Sequence, residues 1–209
     1  SDASSGDMLA QDVKRLQTLG YPSKLITKKE LLQLEPSLEM PQISSAAYTW
    51  SEGHVMTDKV IRACMNRILS NGGKVLLQTP VDSISQDMSG ASVVVGRKIY
   101  EFDMVVVAAG VNTSQLSESF GFNLPQRVSP GVVVKTNPIP KILKSLSVLQ
   151  IVNGESDIDQ IHIRQDADGV VMIGTGSQEH ETTDDSWEHA NNLIKETSSY
   201  LPGLHGATP

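Results

Sequence analysis

One stretch constrains the fold more than any other: residues 98–110, KIYEFDMVVVAAG. An alternating run through Ile99, Tyr100 and Phe102 passes Asp103 and enters Met104–Val107, which is apolar at every position. A strand covered on both faces reads this way, and such strands sit in parallel sheets flanked by helices. The run closes on Ala108, Ala109 and Gly110. Their small size lets the backbone approach another body closely. A helix-compatible segment, Asn112–Phe120, follows, with Asn112 or Thr113 as the candidate N-cap. Open α/β sheets place ligands where a buried strand ends in small residues at a helix start. The alternative is an ordinary core strand packed under a helix.

At 209 residues the chain has room for one large domain or two small ones. A hydrophobic content of 39 % against 20 % charged residues permits a core and argues against wholesale disorder. The net charge of −7, without clustered Lys and Arg, gives no footprint for nucleic acid. No apolar run approaches the length of a membrane span. No basic start leads into an apolar segment, so no export signal is visible and the cytoplasm is the expected compartment. The single cysteine, Cys64, excludes an internal disulfide and a Cys-rich metal site. Its place on a helix face reads as a small core residue.

Along the chain, Ser1–Gly6 is Ser- and Gly-rich and reads as frayed. Asp7–Leu19 has a helical apolar face ended by Gly20 and Pro22. Thr27 and Glu30 form a capping box for a short helix over Lys28–Leu34. Ser45–Trp50 reads as a strand with Tyr48 and Trp50 on one side. Thr57 caps a helix over Asp58–Asn71 whose inward face is Val60, Ile61, Cys64, Met65, Ile68 and Leu69. Gly72 and Gly73 stop it. Lys74–Leu77 and Val81–Ser85 read as extended, and Met88–Gly90 as a hairpin turn. Ser92–Val95 and Arg97–Phe102 read as strands, as do Gly131–Lys135 and Val148–Val152. In Gln160–Gln165, Ile161 and Ile163 alternate with His162 and Arg164. The DADG of Asp166–Gly169 is a hairpin signal leading into Val170–Ile173. A last helix starts at Thr183 or Asp184 and runs to about Tyr200.

Several site motifs are missing. No GxGxxG lies between a strand and a helix, and no GxxxxGK[ST] or GxSxG occurs. Gly174-Thr175-Gly176 reads as a strand end rather than a phosphate loop. His180 and His189 flank Glu179, Glu181, Asp184 and Asp185 without fixed ligand spacing, so a solvated acidic loop is favoured over a metal site. His54 reads as a structural turn residue. Arg164 is either solvated or suited to hold a carboxylate bidentately.

Five segments in order carry a family resemblance: residues 30–38 (ELLQLEPSL), 53–71 (GHVMTDKVIRACMNRILSN), 73–84 (GKVLLQTPVDSI), 102–113 (FDMVVVAAGVNT) and 161–174 (IHIRQDADGVVMIG). The chain resembles the middle of the FAD-dependent amino acid and amine oxidoreductases, the group of D-amino acid oxidase, glycine oxidase and sarcosine oxidase. The resemblance implies a mixed α+β and α/β fold with two interleaved parts. Residues 1–50 and 127–209 would form a substrate-type domain built on an antiparallel sheet, and 51–126 a partial parallel α/β FAD-binding domain. It implies that Val81, Ala108, Ala109 and Gly110 approach FAD. Tyr48, Trp50, His162 and Arg164 are, by their residue types and their places on the substrate-type sheet, the candidate contacts for a small amino acid or amine ligand. The resemblance implies a hydride passed from the carbon beside the amine to the flavin, giving an imine that water hydrolyses. No metal is implied, and no catalytic residue carries over.

The family's opening strand–GxGxxG–helix unit and its closing arginine strand and Gly-rich flavin segment have no counterpart in these residues. The expectation is therefore an internal segment of such a flavoprotein. FAD would be held by the intact protein, but not bound or turned over by this chain alone, and exposed sheet edges would favour self-association. The alternative is a flavin-free ligand-binding or interaction module derived from the same fold.

Overall fold

The computed structural model describes residues 3–88, 90–126, 131–152, 160–175 and 184–209. In chain order its elements are α1 (Ala3–Thr18), β1 (Ser23–Thr27), α2 (Lys28–Leu34), β2 (Ser45–Thr49), α3 (Thr57–Ser70), β3 (Ser83–Asp87), β4 (Gly90–Val95), β5 (Lys98–Phe102), α4 (Thr113–Glu118), β6 (Val133–Lys135), β7 (Leu149–Val152), β8 (Gln160–Gln165), β9 (Val171–Thr175) and α5 (Trp187–Ser198). The chain divides into two compact units, one of Ser1–Met56 with Pro130–Pro209, the other of Thr57–Ser129. Every strand pair among the described residues is antiparallel.

The first unit holds a two-stranded sheet, β1–β2, and a four-stranded sheet in the order β6–β9–β8–β7. The DADG hairpin forms: Asp166 accepts the N–H groups of Asp168 and Val170 at its Oδ1 (2.9 and 3.0 Å). Gly169 takes φ +87°, and a Cβ there would meet the Ile139 carbonyl oxygen at 2.7 Å, so only glycine serves. Register then aligns Val134, Ile173, Ile163 and Leu149 across the sheet. These four, with Ile161, Val171 and Ile151, form the buried face. They share a core with Leu193, Ile194, Leu201, Leu204, Ile142 and Leu143. Burying one such side chain is worth about 1.5–3 kcal/mol, so this face dominates the unit.

The termini of α2 are secured locally and at long range. Thr27 and Glu30 make the capping box: Thr27 N–H donates to Glu30 Oε2 at 2.8 Å, and Glu30 N–H to Thr27 Oγ1 at 3.3 Å. At the other end Glu35 is fully buried. Its carboxylate accepts three successive backbone N–H groups, those of Lys144, Ser145 and Leu146, each at 2.6 Å. A buried carboxylate is tolerable when donors satisfy it this fully. The Ser147 carbonyl that follows accepts from His54 Nδ1 at 3.0 Å, so that ring nitrogen carries the proton. His54 is a turn-fixing residue, as its place between Gly53 and Thr57 suggests.

The second unit is a β3–β4–β5 meander with α4 against β3. Ser119 joins them: its Oγ accepts the Ile84 N–H at 2.9 Å and lies 3.0 Å from the Ile84 carbonyl. Ile84 and Val93 are its buried apolar residues among those described.

Four sequence expectations change here. Met104–Val107 is not a strand: it has no ladder partner among the described residues, and Met104 and Val106 are 79 % and 81 % exposed. The face of α3 expected to point inward has no buried residue, and Cys64, read as core, is exposed. Lys74–Leu77 is not a strand, and Leu76 and Leu77 are exposed. One cause covers all three: an apolar pattern becomes buried only where another element lies against it. At the N-terminus, the segment read as frayed is helical from Ala3. The turn residue Ser89 and the connection over 153–159 lie outside the described residues. No helix among the described residues is long and apolar enough to cross a membrane.

Candidate functional site

An antiparallel sheet packed on one side leaves its other face open. In the four-stranded sheet that open face has two rows of aligned residues. One row runs Lys135, Met172, Arg164; the next runs Val133, Gly174, His162, Gln150. The four strands contain no Asp or Glu but bring Lys135, His162 and Arg164 to one surface. Arg164 is half-buried, and its Nε donates to Met172 Sδ at 3.2 Å. Among the described residues no carboxylate pairs with Arg164 or Lys135. A guanidinium resting on a thioether, with no carboxylate partner among the described residues, has donors left for a carboxylate ligand.

Tyr48 and Trp50 also meet, with ring centroids 6.3 Å apart and planes inclined at 43°. Tyr48 packs against the core, while Trp50 is 55 % exposed. The alternation read from the sequence brings these two together. Tyr48 lies on β2 and Trp50 in the turn after it, whereas His162 and Arg164 lie on β8 of the four-stranded sheet.

On the second unit, Val81 lies in the extended segment before β3 and is half-buried. Ala108 is exposed, Ala109 half-buried, and Gly110 takes φ +58°, which favours glycine. A Cβ at Gly110 would meet nothing within 4 Å. Gln126 braces the turn, donating from Nε2 to the Gly110 carbonyl at 3.0 Å and accepting the Ser114 N–H at 3.2 Å. An accessible turn of small residues fits the close approach of a nucleotide such as that of FAD.

Among the described residues no three potential metal ligands cluster. His180, Glu179, Glu181 and the Gly176 end of the GxG lie outside the described residues. Asp184 is held below the usual carboxylate range, first by its side-chain hydrogen bond with Ser186 and then by the Ser186 N–H. Ser186, rather than Thr183 or Asp184, is the N-cap of α5 and accepts the His189 N–H at 3.1 Å. Sequence reasoning missed Lys135, Met172 and Gly174 as members of the open face. The alternation in residues 133–135 marks Lys135 as outward, but only strand register places it beside Met172.

The fold is that of solved flavin amino acid oxidases, as the superpositions below give it. Across all its residues, 1–209, the chain matches the family described as DAO, FAD dependent oxidoreductase, and it belongs to that family. A glycine oxidase of Geobacillus kaustophilus (strain HTA426) is 27 % identical over 123 residues, 58 % of this chain and 33 % of the relative. The crystal structure of glycine oxidase from Geobacillus kaustophilus superposes with a TM-score of 0.81 at 20 % identity, over 100 % of this chain and 54 % of that one. That of L-proline dehydrogenase from P. horikoshii superposes with a TM-score of 0.83 at 18 % identity, over 99 % and 55 %. The chain therefore spans about half the length of these solved relatives.

Proposed function

We propose that this chain is part of a flavoprotein that oxidises the C–N bond of a small amino acid or amine. The observation that carries the reading is the acid-free sheet face bearing Arg164, His162 and Lys135. Arg164 binds the substrate carboxylate, and His162, one row along, borders the same surface. Tyr48 and Trp50 supply an aromatic wall. Residues 1–50 and 127–209 act as the substrate side. Residues 51–126 act as the flavin side, with Val81, Ala108, Ala109 and Gly110 against the cofactor. FAD, when bound, supplies the two-electron acceptor. This chain's own part is to bind and orient.

As an isolated chain it holds FAD weakly and does not turn over, because these residues offer no GxGxxG helix terminus for the diphosphate. Titration with FAD, followed by flavin fluorescence, checks this, with anaerobic addition of glycine or L-proline to look for bleaching. Weak binding without bleaching is the expected result. A preparation that is yellow as purified and bleaches with an amino acid overturns the inactivity. Carboxylate binding that survives Arg164→Leu overturns the site. Carboxylate binding with no FAD affinity at all would instead favour the flavin-free module.

The exposed Met104 and Val106, and the edges of the β3–β4–β5 meander, which have no ladder partner among the described residues, favour self-association. Light scattering should find a mass that rises with concentration; a monomer at every concentration sinks this expectation.

A further inference from the structure

Gly174 lies on the open sheet face, one residue before the end of β9, between Val133 on β6 and His162 on β8. Among the described residues nothing calls for glycine there. Its φ lies outside the left-handed region. Among the described residues a Cβ would meet Val133 Cγ2 at 3.7 Å and the Val132 carbonyl oxygen at 3.9 Å, which is ordinary contact. Mid-strand glycine weakens a strand and often marks a place where another body comes close to the backbone. Gly169, in the turn between β8 and β9, is the contrasting case: positive φ and a blocked Cβ both explain it.

The neighbouring chemistry says what that body is. Arg164 lies one row away, two residues along the strand, which is about 7 Å. Its guanidinium has a sulfur partner and no carboxylate partner among the described residues. With Lys135 in the same row and no acid on any of the four strands, the surface complements an anion.

We infer that Gly174 is a specificity-determining residue: a small carboxylate anchored by Arg164 lays the rest of its body directly on the Gly174 backbone, between Val133 and His162. The inference rests on the amino acid reading above and adds to it the size limit of the site. A side chain at 174 leaves the anchor intact and removes the space beyond it. A bare carboxylate such as acetate needs only Arg164, whereas L-proline needs the floor as well.

The test follows amide chemical shifts of the isotopically labelled full chain with FAD added, titrating acetate and L-proline separately. Parent protein should show shifts in β6, β8 and β9 with both probes, and Arg164→Leu should lose both. Gly174→Ala should keep acetate, weaken L-proline by about tenfold or more, and unfold at an unchanged or higher denaturant midpoint. If Gly174→Ala binds L-proline like the parent, the inference falls while the amino acid reading stands. If Gly174→Ala loses acetate too, or is destabilised, the glycine is structural and the inference falls. If neither probe moves the open face of the parent, both fall together.

Discussion

Residues 161–163 with 171–173, and residues 104–107, are comparably apolar, and they end in opposite environments. Ile161, Ile163, Val171 and Ile173 are completely buried, each in a strand paired on both sides and covered by core side chains. Met104 and Val106 project into solvent from an extended segment with no ladder partner among the described residues. Composition is similar, and the continuous run at 104–107 is the stronger pattern. What differs is local closure. DADG brings β8 and β9 together within a few residues, whereas a strand of the parallel kind needs partners distant in sequence. An apolar run therefore states a need for cover without saying where the cover comes from.

The contrast can be broken most directly by trimming each run. Ile163→Ala removes a fully buried side chain and should cost about 2–5 kcal/mol. Val106→Ala should stay within about 0.5 kcal/mol, as exposed substitutions do. Urea unfolding of both variants at one protein concentration decides it. A Val106→Ala loss as large as that of Ile163→Ala would mean that the segment is covered in solution.

A second test asks what holds the packed unit's loops. Glu35→Ala leaves the N–H groups of Lys144, Ser145 and Leu146 without their acceptor. It should cost about 3 kcal/mol, and hydrogen exchange at those three amides should accelerate. Unchanged protection would show that the loop does not depend on Glu35.

The smallest effect lies at the start of α2. Thr27→Ala should cost about 1 kcal/mol in denaturant unfolding, the usual loss of a cap. Glu30, the other half of the box, is held below the usual carboxylate range by the Thr27 N–H first and the Thr27 hydroxyl second. A depressed native value means its contribution is complete above the unfolded value and disappears as pH falls through the native one. Glu30→Gln should therefore lower the unfolding midpoint at neutral pH and match the parent in acid below both values. A difference that persists in acid would assign the effect to something other than the charge.

Much of the local architecture was legible beforehand. The capping box at Thr27 and Glu30, the DADG hairpin, the alternation of Ile161 and Ile163 with His162 and Arg164, and the Tyr48–Trp50 pair all depend on neighbours within a few residues. β1 was not anticipated, because its five residues begin directly after Pro22 and end on Thr27, which already announces the next helix. Glu35 gave no signal either. An acidic residue near a helix end is ordinary, and its three donors lie more than a hundred residues away. The open face was half visible: His162 and Arg164 followed from alternation, while Lys135, Met172 and Gly174 needed the register of three strands.

From residue order alone come the family, many of the caps and turns, and the side of β8 that faces the core, because these rest on short-range geometry and periodicity. The folded arrangement settles which apolar faces are covered, which carboxylate is buried, and which side chains share the cationic surface. Those outcomes depend on contacts between segments far apart in the chain, and on whether a partner element stands within reach.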